Sequence, residues 1–158
     1  MVRIHSAADP LLMAWHGRML ADGDLDHMFL GRHRAPDAFQ AFFTTPTTEL
    51  HTEVDDDGIW LAAWLYRRTP GESKLFGLWV RNDRRRTLTA LKGVRRMYEF
   101  ILGREGMVVG LTKQEALIAP HRKFGYDTFG PFDVEGEPAW FVVLTKDGYE
   151  SKRASVRV

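Results

Sequence analysis

With 158 residues, 44% hydrophobic and 27% charged, the chain is long enough to bury a real core and has the composition of one ordinary globular domain. A formal net charge of +1 removes the whole-chain electrostatic case for a nucleic-acid or membrane-surface partner, and the absence of cysteine excludes disulfides, thiolate nucleophiles and cysteine-ligated zinc. The N-terminus has no continuous apolar leader and no window approaches about 20 apolar residues, so a cytoplasmic protein is expected, or one made there and assembled elsewhere.

Residues 2–5 read as a short first strand. Ser6 or Asp9 then caps a helix with Pro10 near its first turn and Leu11, Leu12, Trp15, Met19 and Leu20 along an apolar face. The stretch 22–34 starts as a loop and breaks at Gly31. A second helix opens at Ala35-Pro36-Asp37, carries Phe39, Phe42 and Phe43, and closes at Pro46. Residues 48–54 alternate, with Glu49, His51 and Glu53 on one side and Leu50, Thr52 and Val54 on the other. Asp55-Asp56-Asp57-Gly58 reads as a hairpin turn, because Asp-Gly supplies the positive φ such turns need. Ile59 to Tyr66 is apolar on both faces, which predicts a central buried strand. A second turn spans 69–73.

Residues 74–103 carry the densest information. The apolar run Leu75 to Val80 stops at Arg81-Asn82-Asp83, and Arg84, Arg85 and Arg86 follow. Leu88, Leu91, Val94, Tyr98, Ile101 and Leu102 then recur at three- and four-residue steps, one face of a helix that Gly103 and Gly106 end. This is a buried strand feeding a helix through a turn crowded with cations. Backbone N–H groups at a helix start, with guanidinium groups beside them, suit a phosphate-bearing ligand. Three cations there also oppose the helix macrodipole, which calls for an anion; the plainer alternative is a solvated helix start.

Beyond it, Met107 to Leu111 is a short strand, and 113–125 a helix that Pro120 kinks or restarts. Gly125, Gly130, Pro131 and Gly136 punctuate the next segment, Ala139 to Thr145 is the last strand, and Lys146-Asp147-Gly148 is a turn. The polar, basic tail 151–158 is expected to be disordered. The pattern predicts a single α/β (α+β) domain over 1–150, with a mixed, mostly antiparallel central sheet and helices on both faces.

This order, together with the strand–arginine turn–helix at 75–102, resembles the GCN5-related N-acetyltransferase (GNAT) superfamily over nearly the whole chain. The segment Arg122-Lys123-Phe124-Gly125-Tyr126-Asp127-Thr128-Phe129-Gly130 is similar to the E-K-L-G-F-x-x-x-G ending of that family's last helix. The family's turn, R/Q-x-x-G-x-G/A, aligns with Arg85-Arg86-Thr87-Leu88-Thr89-Ala90, where Arg85 and Ala90 fit and Leu88 replaces the first glycine. The resemblance implies acetyl-coenzyme A between strands 75–80 and 107–111, with the Leu78, Trp79 and Val80 backbone on the pantetheine arm. Arg84, Arg85, Arg86, Thr87, Leu88, Thr89 and Ala90 would surround the pyrophosphate, and Gln114 is a further cofactor contact. Gly77 would mark the bulge that opens the strands. It further implies His121 at the position of the family's tyrosine acid, protonating the departing thiolate.

The family's carboxylate base has no counterpart in 74–80; His51 and Glu53 on the neighbouring strand are the nearest substitutes, although alternating polar residues on a strand usually face water. The expected function is acyl-coenzyme A-dependent acetyl transfer to a small-molecule or protein amine. The alternative is a catalytically inactive protein similar to the small GNAT-like proteins of tailed phages, binding protein partners in virion assembly. No nucleic acid, membrane or metal is expected, and the tryptophans at 60, 64 and 79 read as core or cleft wall.

Overall fold

The computed structural model of the chain describes residues 9–28, 33–67 and 74–155. The expected strand at 2–5, the cap at Ser6, the break at Gly31 and the turn at 69–73 lie outside them. The helices are α1 (Pro10–Ala21), α2 (Asp24–Met28), α3 (Pro36–Thr44), α4 (Leu88–Glu105), α5 (Ile118–Phe124) and α6 (Lys146–Ser155). The strands are β1 (Thr48–Asp55), β2 (Gly58–Tyr66), β3 (Leu75–Val80), β4 (Met107–Thr112), β5 (Asp127–Val134) and β6 (Glu137–Thr145). They form one six-stranded sheet in the order β1-β2-β3-β4-β6-β5. β3 pairs with β4 in parallel, at Leu75 and Val109, while β1–β2, β4–β6 and β5–β6 are antiparallel. The expected mixed, mostly antiparallel class is what is found.

By its contacts the chain divides into two compact units, Met1–Glu72 with Phe76–Met97 and Ser73–Leu75 with Tyr98–Val158. The first is built on tryptophan. Trp15 on α1 lies 5.0–6.0 Å, centroid to centroid, from Phe39, Phe43, Trp64 and Trp79. Leu12, Met19, Leu25, Leu50, Ile59 and Ala62 complete the cluster. The β2 stretch 59–65 is buried throughout, as its continuous apolar run requires of a strand covered on both faces. Asp9 caps α1 by accepting from the Leu11 N–H at 2.9 Å, and Pro10 takes the first helical position, where no N–H is needed.

The second unit is built on tyrosine. Tyr98, Tyr126 and Tyr149 are buried with Ile101, Leu102, Val108, Val142 and Leu144. The Tyr98 and Tyr126 hydroxyls share a hydrogen bond of 2.5 Å, and burial raises the pKa of both. Pro120 restarts the helix instead of kinking it: a 3₁₀ turn at Glu115–Leu117 precedes α5, whose first turn tolerates the missing N–H.

Two expectations are corrected. The buried stripe of α4 is Ala90, Gly93, Met97, Tyr98, Ile101 and Leu102, whereas Leu88 and Leu91 are 75% and 41% exposed. Gly93 belongs to that stripe because a Cβ there would come within 2.5 Å of the Trp60 ring. The residues 146–155, expected as a turn leading into a disordered tail, form α6. Thr145 Oγ1 accepts from the Gly148 N–H at 3.0 Å, Asp147 stands in the first turn and Lys152 and Arg153 in the last, all of which favour a helix. Tyr149 buries its ring beneath it.

Candidate functional site

The turn between β3 and α4 is held by side chains from three other segments. Arg81 is 1% exposed. Its guanidinium donates to both oxygens of Asp55 at 2.9 Å and to Asp83 at 2.7 and 3.2 Å. Arg84 also reaches Asp55 and lies 5.5 Å from the Trp60 ring centroid. Arg85 donates from Nε to the Val80 carbonyl at 2.7 Å and pairs with Asp24, which also accepts from Trp79 Nε1 at 2.6 Å. The hydrogen bonds from Arg81 are the largest influence holding the carboxyls of Asp55 and Asp83 below their ordinary pKa.

A bound anion was expected to offset the cations of this turn. Asp24, Asp55 and Asp83 do so from within the chain, and they are the site residues that sequence reasoning missed. Asp55 read as a turn residue and Asp24 as part of a loop. No local spacing links positions 24 and 55 to 81–85; only the folded first unit brings them together.

Residues 84–87 form a type II turn. Arg85 has φ −53° and ψ 135°, Arg86 has φ +75°, and the Thr87 N–H returns to the Arg84 carbonyl at 3.1 Å. The third position of such a turn favours glycine, and a side chain there costs about 1–2 kcal/mol. Thr87 then caps α4, accepting from the Ala90 N–H at 3.1 Å. The Leu88 and Thr89 N–H groups have no hydrogen-bond partner among the described residues, nor has the exposed Arg86 guanidinium. Arg86→Gly is therefore expected to raise stability by about 1 kcal/mol, seen as an upward shift of the thermal midpoint. No gain would mean that the turn relaxes at no cost around Arg86.

The other sequence-predicted residues fall as follows. Leu78 and Val80 are half-buried, and Trp79 spends its side chain on the core, leaving its backbone for any ligand. Gln114 precedes the 3₁₀ turn, its N–H on Thr112 Oγ1 at 3.1 Å. His51 is 5% exposed and paired with Glu49, and Glu53 is held by Arg96 through contacts of 2.8–3.3 Å. His51, Glu49 and Glu53 are thus each committed to a partner on the chain. His121 donates from Nδ1 to the Leu117 carbonyl at 2.5 Å and sets its ring edge-on to Tyr126 at 4.9 Å. That bond fixes Nδ1 as the protonated nitrogen and leaves Nε2 as the atom that gains or loses a proton.

Beside the arginine turn, Arg18, Asp22, Arg81, Asn82 and Asp83 line an open cleft of about 330 Å³. Among the described residues no group of three His, Asp or Glu side chains could hold a metal, and no helix is long and apolar enough to cross a membrane.

Solved structures superpose on the chain over nearly its whole length. A mutant of the spermidine N-acetyltransferase SpeG from Vibrio cholerae matches with a TM-score of 0.65 at 11% identity, covering 96% of this chain and 98% of that one. The aminoglycoside acetyltransferase AAC(6')-Ib, in complex with ribostamycin and coenzyme A, gives 0.65 at 13% identity over 90% and 92%. This is the GNAT fold. The coenzyme A-dependent acyl-homoserine lactone synthase BjaI, solved with SAM and isopentyl-CoA, has the same TM-score at 15% identity over 99% of this chain and 88% of that one. No family model and no curated protein matches the sequence. Against the GNAT motif, Leu88 occupies a glycine position yet turns its side chain to solvent.

Proposed function

We propose that this GNAT-fold chain is a coenzyme A-dependent N-acetyltransferase acting on an amine. The observation that carries the reading is the shared fold over 90% or more of the chain with structures that hold coenzyme A or an acyl derivative of it. This is a fold-level warrant, to which the site adds chemistry. At the start of α4, the Leu88 and Thr89 N–H groups and the Arg86 guanidinium, without a partner among the described residues, suit a diphosphate. Arg84 and Arg85, tied to Asp55 and Asp24, would hold that turn in shape instead of binding phosphate themselves. In the transfer, the amine nitrogen attacks the thioester carbonyl, the carbon–sulfur bond breaks, a proton passes from Nε2 of the His121 imidazolium to the departing sulfur, and the proton shed by the amide nitrogen passes to solvent.

Titration calorimetry with acetyl-coenzyme A tests this directly. Binding is expected, about tenfold weaker in Arg86→Ala, with thiol release when amines are supplied. His121→Phe should lower turnover by about a hundredfold and leave coenzyme binding unchanged. No heat at millimolar ligand would sink the reading.

A second reading rests on one specific observation. Three of the four arginines at 81–86 are already neutralised by aspartates, so the turn offers little net charge to a polyanion. A catalytically inactive GNAT-fold component that works by binding protein, as in virion assembly, needs no more than that. Full binding of acetyl-coenzyme A with measurable turnover would remove it.

A further inference from the structure

The arginines of the turn before α4 are answered by aspartates, but the cations further along the helix are not. From Arg86 to Met97 the sequence holds Arg86, Lys92, Arg95 and Arg96 and no acidic residue. Arg96 is paired with Glu53, whereas Lys92 and Arg95 have no partner among the described residues. At 3.6 residues per turn Leu88, Leu91, Lys92 and Arg95 share a stripe about 100° wide, opposite the buried Ala90, Gly93 and Met97. All four are exposed, and Leu88 is the most exposed large hydrophobic residue among those described.

We infer that this outward face of α4 binds an acidic helix of a partner protein, with apolar side chains on Leu88 and Leu91 and carboxylates against Lys92 and Arg95. The ridge formed by residues three and four apart on one helix is the shape into which the side chains of a second helix interdigitate. The leucines supply the contact to be kept from water, and the cations beside them, with no acid among them, fix the sign of the partner. The patch spans only the first turns of one helix, which places the contact among the small, transient interfaces.

Other occupants match the face less well. A second copy using the same surface would bring Lys92 and Arg95 against their own kind. A nucleic-acid duplex or an anionic bilayer is wider than the stripe, and the turn ahead of α4 carries carboxylates that either would meet. There Asp57, 77% exposed, lies 4.0 Å from Arg81, and Asp83 is 59% exposed. A single helix, about 10–12 Å across, can lie along the stripe without covering them. The inference stands apart from coenzyme binding, because Leu91, Lys92 and Arg95 make none of the contacts proposed for the diphosphate. The face would receive a protein amine acceptor in the enzyme and an assembly partner in the inactive component.

Titration of the ¹⁵N-labelled full chain with a synthetic peptide tests the inference by NMR. The peptide is about 18 residues long, since shorter helices are marginal, with Leu at three- and four-residue steps, Glu beside them and Ala elsewhere. Binding is expected, with the largest amide shifts over 88–96 and an affinity that falls as salt is added. Leu91→Glu and Arg95→Glu should each weaken it by about tenfold. Lys123→Glu, an exposed cation on α5, is the control and should leave it unchanged. Circular dichroism of each variant verifies that it is folded. No shifts at millimolar peptide, shifts centred away from α4, or an equal loss in Lys123→Glu would overturn the inference. So would equal binding of the same peptide with Lys in place of Glu. Tighter binding to phosphatidylserine vesicles or to a DNA duplex, lost in Arg95→Glu, would overturn it by giving the face to a polyanion.

Discussion

Arg81→Met is expected to destabilise the protein by about 3 kcal/mol, read as a lower urea midpoint at an unchanged denaturant slope. Methionine keeps most of the buried stem, so the loss is that of the cation and its donors, not of volume. Breaking a buried ion pair by removing one partner usually costs about 3–5 kcal/mol, because the other charge is left uncompensated. The lower end applies here. Asp83 is 59% exposed and water can solvate it, while Arg84 still reaches Asp55. The double variant Arg81→Met/Asp55→Asn should recover part of the loss, since it removes the stranded carboxylate as well.

The same cluster sets a pH signature. Asp55 and Asp83 titrate below the ordinary value of 3.8 in the folded chain, chiefly because Arg81 hydrogen-bonds their charged forms. A depressed folded pKa means stability that is present above the unfolded value and lost as the pH falls through the folded one. The gap in stability between the wild type and Arg81→Met should therefore shrink below pH 3.8. A gap that stays constant into acid would show that Arg81 acts through packing and not through charge.

How much of this was legible in the sequence depends on how local the cause is. The central position of β2 follows from one continuous apolar run, and the Asp-Gly hairpin from one dipeptide. Both are in place. Leu88 and Leu91 are apolar at the right step for the α4 stripe and yet stand largely exposed. The true stripe uses Ala90 and Gly93, small residues that carry little hydrophobic signal but let the helix lie close over Trp60. The α6 helix was hidden by Gly148, which reads as turn chemistry until Thr145 is seen to cap the helix. The arginine turn was legible as a feature and illegible as a balance. Its cations are contiguous, while the carboxylates that answer them sit up to 61 residues away in the chain.

Gly77→Ala should cost about 3 kcal/mol or more, at or beyond the upper end for overpacking, measured as a fall in the thermal and urea midpoints. A Cβ at this position would lie 2.1 Å from Trp64 Cε2, 2.2 Å from Cζ2 and 2.5 Å from Nε1. The ring has little room to withdraw. Trp64 is 1% exposed, with Trp15 at 6.0 Å and Phe43 at 5.7 Å behind it. Gly103→Ala supplies the contrast, since nothing lies within 4 Å of its Cβ position and α4 should gain about 0.5–1 kcal/mol. If the clash with the indole is the cause, Trp64→Phe will offset much of the Gly77→Ala penalty in a double-mutant cycle. If Gly77→Ala proves neutral, the glycine serves the backbone of β3, as the sequence alone had indicated. A penalty that Trp64→Phe relieves assigns it instead to the tryptophan core, so that the strand feeding the arginine turn is fixed from behind by packing before any ligand contact is made.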